Sequence, residues 1–439
     1  MSWKDEFKSR EMSPDDALRC VESGMRVYIH PGCAEPETLV GALMKRAPFV
    51  KDVEIVHLLT LGRADYINPE MAGHFRHNAM FIGGNVREAV NDGRADYTPI
   101  FLGEIEGLFE SGEMPIDVAL VQVSPPDNHG FCSFGVGVDT TLSAAKYAKH
   151  VVALVNDRMP RTYGDSYIHV SDIDAFVPVS RPLCELPKTE ITDLHLAIAR
   201  NVASLIPDGA TLQLGIGGIP DAVLVYLKDR KDLGIHTEML SDNVIPLIES
   251  GVINGRMKTL HPRKIILGFV LGSKNLFDFV NENPMFEFHP SSYTNNPALI
   301  ARNDGMIAVN SALQIDLTGQ IGADSLGTYF YSGIGGQVDF IRGASFSKGG
   351  KPIIAIPSTA KNDSVSRIAP MLSPGAGVVT SRGSVHYVVT EHGVAYLHGR
   401  SIRRRAEELI KIAHPKFRDE LFDYCERTRW LQRPALAGR

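Results

Sequence analysis

Short apolar runs alternate with amphipathic segments along most of the chain. Val27-Tyr28-Ile29, Val53 to Leu59, Ile116 to Ser124, Val152 to Val155, Met306 to Val309 and Ile353 to Ile356 are nearly uninterrupted aliphatic stretches. Runs such as Val118 to Val121 lack the polar alternation of a half-exposed strand, which marks strands covered on both faces of a parallel sheet. Between them lie segments with helical spacing. Pro36 precedes a helix with Leu39 and Leu43 on one face, and Ala222, Val223, Leu224 and Leu227 recur on another. Ser13 is a suitable N-cap for a helix from Pro14 to about Val21. Thr98 to Leu108 reads as strand then helix, and Val388 to Leu409 as strand, turn at Gly393, then helices. Trp430 to Arg439 reads as a loosely held tail. Strands alternating with helices in this way predict an open α/β fold.

The pattern also repeats. Asp208 to Leu212 answers Ser23 to Val27, Gly217 answers Gly32, Leu224 answers Leu39, and Lys231-Asp232 answers Lys51-Asp52. Asp127-x-x-Gly130 is echoed by Asp316-x-x-Gly319, and Val152 to Val155 by Ile353 to Ile356. The expected architecture is two similar open α/β domains of common ancestry, residues 1–185 and 186–439, joined by a proline-containing linker from Val179 to Lys188. One mismatch is informative. Counted from the Lys-Asp pairs, Glu238 falls where the first half has Leu58. A carboxylate that replaces a core residue in one copy only is a candidate for chemistry.

Glu238 lies on an expected strand from Gly234 to Leu240, downstream of a glycine-rich turn, Gly215-Ile216-Gly217-Gly218-Ile219-Pro220, that opens a helix. Pro220 suits a first helical turn, and the loop's amides can hold an anion. Three readings stay open from these residues alone. A dinucleotide fingerprint would use Glu238 for a ribose and make the chain an NAD-dependent dehydrogenase, although Pro220 stands at the third glycine position. The loop could instead bring amides to a phosphate or thioester, or be only a tight turn. A second cluster, Gly333, Gly335 and Gly336, permits close backbone approach and can aim N–H groups at an oxyanion, or form a bulge. Lys361, after the Ile353 to Ile356 strand, could meet a phosphate or a pantetheine carbonyl, or be an exposed loop lysine.

Composition narrows the classes. A chain of 439 residues with 44% hydrophobic and 22% charged residues is ordinary for a globular protein, and a net charge of −6 argues against broad nucleic-acid binding. Arg403-Arg404-Arg405 is read as a solvated helix end rather than a phosphate contact. The five scattered cysteines form no CxxC and fit a reducing compartment. The first sixteen residues carry no apolar signal core, and no run of about twenty apolar residues suggests a membrane span, so a cytoplasmic location is expected. His74 and His77 lack partners for a metal site. His30 and His129, beside proline–glycine turns, are weaker candidates for substrate contacts.

LGIGGIPDAVL, GIHTEMLSD, YSGIGGQVDF and VVTEHGVAYLHGRS together resemble the acetyl-CoA hydrolase/transferase family of class I CoA-transferases, on the side of the 4-hydroxybutyrate and butyrate–acetate CoA-transferases. The resemblance runs over nearly the whole chain. It implies that Glu238 is the catalytic glutamate and that Gly215, Ile216, Gly217, Gly218 and Ile219 lie against CoA. It places Gly335 and Gly336 near the thioester and, less directly, Lys361 at a CoA contact. The activity it implies is CoA exchange between a short-chain acyl-CoA and a free carboxylate such as acetate, butyrate or 4-hydroxybutyrate. The exchange is ping-pong, through a γ-glutamyl-CoA thioester, with acyl-CoA hydrolysis as the alternative outcome. Coenzyme A is then a substrate, no metal or resident cofactor is expected, and a homodimer or higher homo-oligomer is. Phe, His and Asn residues near 74–86 and 128–134 are candidates to shape the acyl pocket.

Overall fold

In the computed structural model, residues 2–431 are described. The expected tail falls mostly outside them. Of its first residues, Trp430 packs its ring on Tyr424 and Leu431 is buried; residues 432–439 lie outside the described residues.

Two large parallel sheets dominate. The first runs Asp96–Tyr97, Phe75–Ala79, Val53–His57, Arg26–Ile29, Val118–Val123, His150–Asn156, Ala175–Val179. The second runs Phe286–Phe288, Ile265–Leu267, Gly234–His236, Thr211–Leu214, Met306–Asn310, Lys351–Ala355, Tyr387–Thr390, with Gly393–Tyr396 added antiparallel at the edge. Apart from that edge strand, the chain visits the two sheets in the same order. The registers agree as well. Arg26 pairs with Glu54 in one sheet, and Thr211 with Gly234 in the other. Asp52 and Asp232, matched in the repeat, both adopt positive φ, 55° and 56°. The duplicated α/β architecture read from the hydrophobic pattern is therefore the one observed.

In each sheet the strand order reverses beside the first strand. The crevice outside the carboxyl ends of the strands at such a switch point is where open α/β folds bind ligands. In the second sheet it lies between Thr211–Leu214 and Met306–Asn310, directly above the glycine loop. One apolar core runs through both halves, uniting residues such as Phe134 and Val138 with Ile235 and Phe288. Backbone hydrogen bonds stitch the halves together at the same place: Val138 N–H to Gly268 O (2.9 Å), Val270 N–H to Val136 O (2.9 Å) and Leu102 N–H to Gly335 O (3.1 Å).

Some local expectations need correction. The helix after the glycine loop starts at Gly218 and ends at Val225, so the charged Lys228 to Asp232 lies beyond it. After Gly393 the chain does not go straight to helices. Glu391 and His392 turn it back as the strand Gly393–Tyr396, and helix Ile402–Ile412 follows. Arg405 is not solvated: it is buried, and its guanidinium donates to the Arg400, Thr318 and Arg382 carbonyls. Three carbonyls within reach of a planar fork explain how an arginine is tolerated inside.

Candidate active site

The expected strand from Gly234 to Leu240 is broken at the candidate carboxylate. Gly234–His236 pairs in the main sheet, while Met239–Leu240 pairs with Phe269–Val270. At the break, Thr237 Oγ1 donates to the carbonyls of Leu214 (3.3 Å) and Met239 (3.0 Å). The Glu238 carbonyl accepts from Gly268 N–H (2.9 Å) and Phe269 N–H (3.2 Å). Because the Gly268 carbonyl is in turn bonded by Val138, the backbone of Glu238 is held from both halves. A regular strand would give the side chain only one of the two sheet faces; the break turns it into the crevice instead.

The carboxylate has two donors. Asn295 Nδ2 donates to Oε2 at 3.0 Å, and the Gly336 backbone N–H donates as well. Asn295 is fully buried and oriented, its Oδ1 accepting from Thr294 Oγ1 at 2.8 Å. The Thr294 carbonyl lies 2.9 Å from Nε2 of His236, the last residue of the strand that leads to Glu238. Gly336 precedes helix Gln337–Phe346, whose N-terminal dipole favours a negative charge. A Cβ built on Gly336 would overlap both the Glu238 carboxylate and the Asn295 amide, so glycine is required there for space rather than for backbone conformation.

Glu238 is half-buried and borders both cavities described below. Burial raises its pKa from 4.5 to about 7; the Asn295 and Gly336 hydrogen bonds oppose the rise, and the Asp139 carboxylate adds to it. Asp339, one turn into the same helix, is raised to about 7, chiefly by burial, with Glu238 contributing. Asp139 is raised to about 6 by burial, despite amide and hydroxyl donors from Thr140 and Thr141. A perturbed carboxyl in a crevice, with two more buried near it, marks a functional-site candidate. If the ionised Glu238 is the reactive form, kcat/KM for the acyl donor rises with pH through about 7. Asn295→Ala removes a charge-assisted donor worth roughly 1.5–3 kcal/mol, so the acid limb is expected to move up by about one to two pH units. An unmoved limb in a folded variant would show that Asn295 does not tune the carboxylate.

Glu238 separates two cavities. One, of about 180 Å³, is lined by Gln213, Asn310, Ser311, Ser332 and Gln337 together with both glycine clusters. The other, of about 110 Å³, is lined by apolar side chains of the two halves, among them Leu58, Met80, Ile100, Leu102, Phe269 and Leu271. Leu58, the residue matched to Glu238 in the repeat, lines the apolar cavity with it. Phe81, Ile216, Met239 and Gly335 border both spaces.

The remaining candidates divide. Gly215, Ile216, Gly335 and Gly336 line the polar cavity. Gly217, with φ 108°, lines an adjoining space beside Lys188 and Asp242. Gly218 lies against the His195 ring, where a side chain would collide, and Ile219 is buried, so these two shape the helix start. Lys361 lines neither cavity. It sits exposed at the tip of the Thr359–Ala360/Val365–Ser366 hairpin, in a run of positive φ through Asp363. His30 is buried between the Gly137 carbonyl and the Gln122 N–H, a packing role, and His129 is exposed outside both cavities. Of the segments expected to shape an acyl pocket, 74–86 supplies Met80 and Phe81, whereas 128–134 lines neither cavity. His77 stacks on His57 at 4.2 Å. Among the described residues, no group of three or more His, Cys, Asp or Glu side chains could hold a metal ion. No helix there is long and apolar enough to cross a membrane. Sequence reasoning missed Asn295, Asp339 and Asp139. Nothing local distinguishes them from other surface-type polar residues; only packing brings them to Glu238.

Family models for the acetyl-CoA hydrolase/transferase N-terminal and C-terminal domains match residues 1–181 and 272–425. The chain is 54% identical to the 4-hydroxybutyrate coenzyme A transferase of Clostridium kluyveri, covering 96% of this chain and 99% of that one. It is 36% identical to the butyryl-CoA:acetate CoA-transferase of Anaerostipes caccae, covering 99% of each. Among solved structures, it resembles the 4-hydroxybutyrate CoA-transferase of Porphyromonas gingivalis with a TM-score of 0.84 and 42% identity, over 97% of this chain and all of that one. RipA from Yersinia pestis is similar with a TM-score of 0.93 and 35% identity, over 98% and 100%. With these matches spanning both halves and the crevice between them, the chain belongs to the acetyl-CoA hydrolase/transferase family.

Proposed function

We propose that the chain is an acyl-CoA:carboxylate CoA-transferase working through a γ-glutamyl-CoA thioester on Glu238. The observation that carries this is a single carboxylate, held by Asn295 and Gly336, at the junction of a polar and an apolar cavity. A carboxylate is a weak nucleophile, and covalent catalysis divides a hard exchange into easier steps.

An oxygen of ionised Glu238 attacks the acyl-CoA thioester carbon. The C–S bond breaks, leaving an acyl–glutamyl anhydride and CoA thiolate. The thiolate attacks the glutamyl carbonyl, the anhydride C–O bond breaks, and the first acid leaves as its carboxylate. The enzyme then holds Glu238 as its CoA thioester. An incoming carboxylate attacks that thioester and forms a new anhydride with release of thiolate. Attack of the thiolate on the new acyl carbonyl yields the second acyl-CoA and restores Glu238. Each tetrahedral intermediate carries an oxyanion, which the Gly336 N–H and the Asn295 amide are placed to stabilise. The loss of one such donor typically costs about 3–4 kcal/mol.

In this reading the thioester sulfur and pantetheine lie along Gly215, Ile216 and Gly217, whose amides offer polar partners. Lys361 is available only to the remote end of CoA. The dinucleotide reading is less supported: it needs a carboxylate free to take ribose hydroxyls, whereas Glu238 is engaged by Asn295 and Gly336. Hydrolysis requires water at the glutamyl thioester, and the apolar lining beside Glu238 disfavours it. Incubation with acyl-CoA and no acceptor acid, followed by borohydride or hydroxylamine and peptide mass analysis, should place the modification on Glu238. Exchange activity should fall in parallel. Modification elsewhere, or rapid thiol release without an acceptor, would count against the transferase.

A further inference from the structure

Resting on the CoA-transfer reading, we infer that Thr294 is a positioning residue for the reaction: its hydroxyl fixes which end of the Asn295 amide faces Glu238. An amide side chain has a donor end and an acceptor end of nearly the same shape. Only the nitrogen end can donate to the Glu238 carboxylate and to an oxyanion formed there. Turned over, the same side chain would set an oxygen against an oxygen. Packing cannot choose between two ends that fill the same space, so hydrogen-bond partners must.

The partners around Asn295 make that choice. Thr294 Oγ1 lies 2.8 Å from Asn295 Oδ1 and donates to it. The other acceptor near the hydroxyl, the Pro290 carbonyl, is 3.5 Å away and already takes the Thr294 N–H at 3.0 Å. The hydroxyl proton is therefore directed to Oδ1. Nδ2 is left to Glu238 Oε2 at 3.0 Å and to the Asp339 carboxyl.

Thr294 is itself held at both ends of its turn. His236 is fully buried, which lowers its pKa to about 3 and keeps the ring neutral, and its Nε2 faces the Thr294 carbonyl at 2.9 Å. The other ring nitrogen, Nδ1, faces Asn303 Nδ2 at 3.3 Å, and that amide nitrogen also faces the Ile300 carbonyl at 3.3 Å. A group set against a carbonyl must donate, so Nδ1 accepts from it and Nε2 carries the ring proton. His236 thereby donates to the peptide that joins Thr294 to Asn295. At the start of the short helix Ser291–Thr294, the first half of the chain takes the amides: Ser291 N–H to Asp139 O (3.0 Å) and Ser292 N–H to a Glu106 carboxyl oxygen (2.6 Å). With the turn pinned from both halves, the hydroxyl is the group that sets the amide.

The test is the pH profile of kcat/KM for the full chain and for Thr294→Val, which keeps the volume and loses the hydroxyl. Thr294→Ser is the rescue, and Thr294→Ala is a second hydroxyl-free variant should valine not fold. Loss of the hydroxyl is expected to move the acid limb up by about half to one pH unit and to lower kcat by about 3- to 10-fold. Thr294→Ser should keep both near the wild-type values. Asp139 and Asp339, whose carboxyls share the field of Glu238, are present in every variant, so the difference belongs to the hydroxyl. The decisive arm places Thr294→Val in an Asn295→Ala background. If Thr294 acts through Asn295, the limb stays where Asn295→Ala alone puts it. Shifts that add would overturn the inference. So would a folded Thr294→Val or Thr294→Ala with unmoved limb and kcat, or a Thr294→Ser variant shifted as far as valine. An unaltered chain that forms no thioester on Glu238 is a different result: it removes the transferase reading, and this inference with it.

Discussion

Glu238→Gln is expected to abolish CoA exchange, lowering kcat by on the order of 10⁴-fold or more, while leaving acyl-CoA binding largely intact. The amide cannot form the anhydride, yet it keeps the volume and an acceptor for Asn295 Nδ2. The same substitution should stabilise the protein. The folded pKa of Glu238, about 7, stands above the 4.5 of an unperturbed glutamate. The folded state therefore binds the proton more tightly than the unfolded chain. The cost of burying the charge is absent below about pH 4.5, grows as pH rises, and is complete above about 7. Wild-type stability should fall across that window relative to Glu238→Gln. At pH 8 the variant should be more stable by on the order of 1–3 kcal/mol. Urea unfolding of both proteins at pH 5 and pH 8, with exchange assays alongside, checks both halves. Equal stability at pH 8 would mean that burial does not raise the pKa of the carboxylate. Retained exchange would remove Glu238 from the chemistry. The trade of stability for a reactive group is typical of active sites.

Gly336→Ala has the second large effect. Its φ of −94° suits any residue, so the backbone raises no objection. The methyl group does, because it occupies the space of the Glu238 carboxylate and the Asn295 amide. The carboxylate must move, and the N–H at residue 336 loses its aim. A loss of about 10²–10³-fold in kcat is expected, with a modest destabilisation of roughly 1–3 kcal/mol from overpacking. Gly107→Ala is a suitable control. It lies within helix Ile105–Ser111, and a Cβ there meets nothing within 4 Å, so it should be active and no less stable. Full activity in Gly336→Ala would show that the carboxylate is not held where the structure has it.

The residues that made the fold legible are those whose meaning is local. Short apolar runs such as Val118–Val121 read as strands covered on both faces, and both sheets contain them. The repeat followed from matched turns, and strand register carries the same correspondence, so the Leu58–Glu238 asymmetry was readable before any coordinate. The glycine loop was also legible, because a strand, a glycine turn and a helix follow one another without a gap. Its details were not. Gly218 owes its identity to the ring of His195, twenty-three positions earlier. Its place after a buried strand left Lys361 open as a ligand contact or an exposed loop lysine, and the structure puts it at a hairpin tip that lines neither cavity.

By itself, then, the sequence determined the α/β class, the duplication, the glycine turn and the one carboxylate without a counterpart. These rest on periodicity and on backbone preferences that act over a few residues. Only the tertiary structure decided what that carboxylate is. Asn295 lies fifty-seven positions away and Gly336 ninety-eight, while Leu58 and Met80 come from the other half. Burial, hydrogen-bond partners and cavity shape are properties of the packed chain. Residues far apart in sequence create them when two sheets close on one crevice, so no local pattern records them.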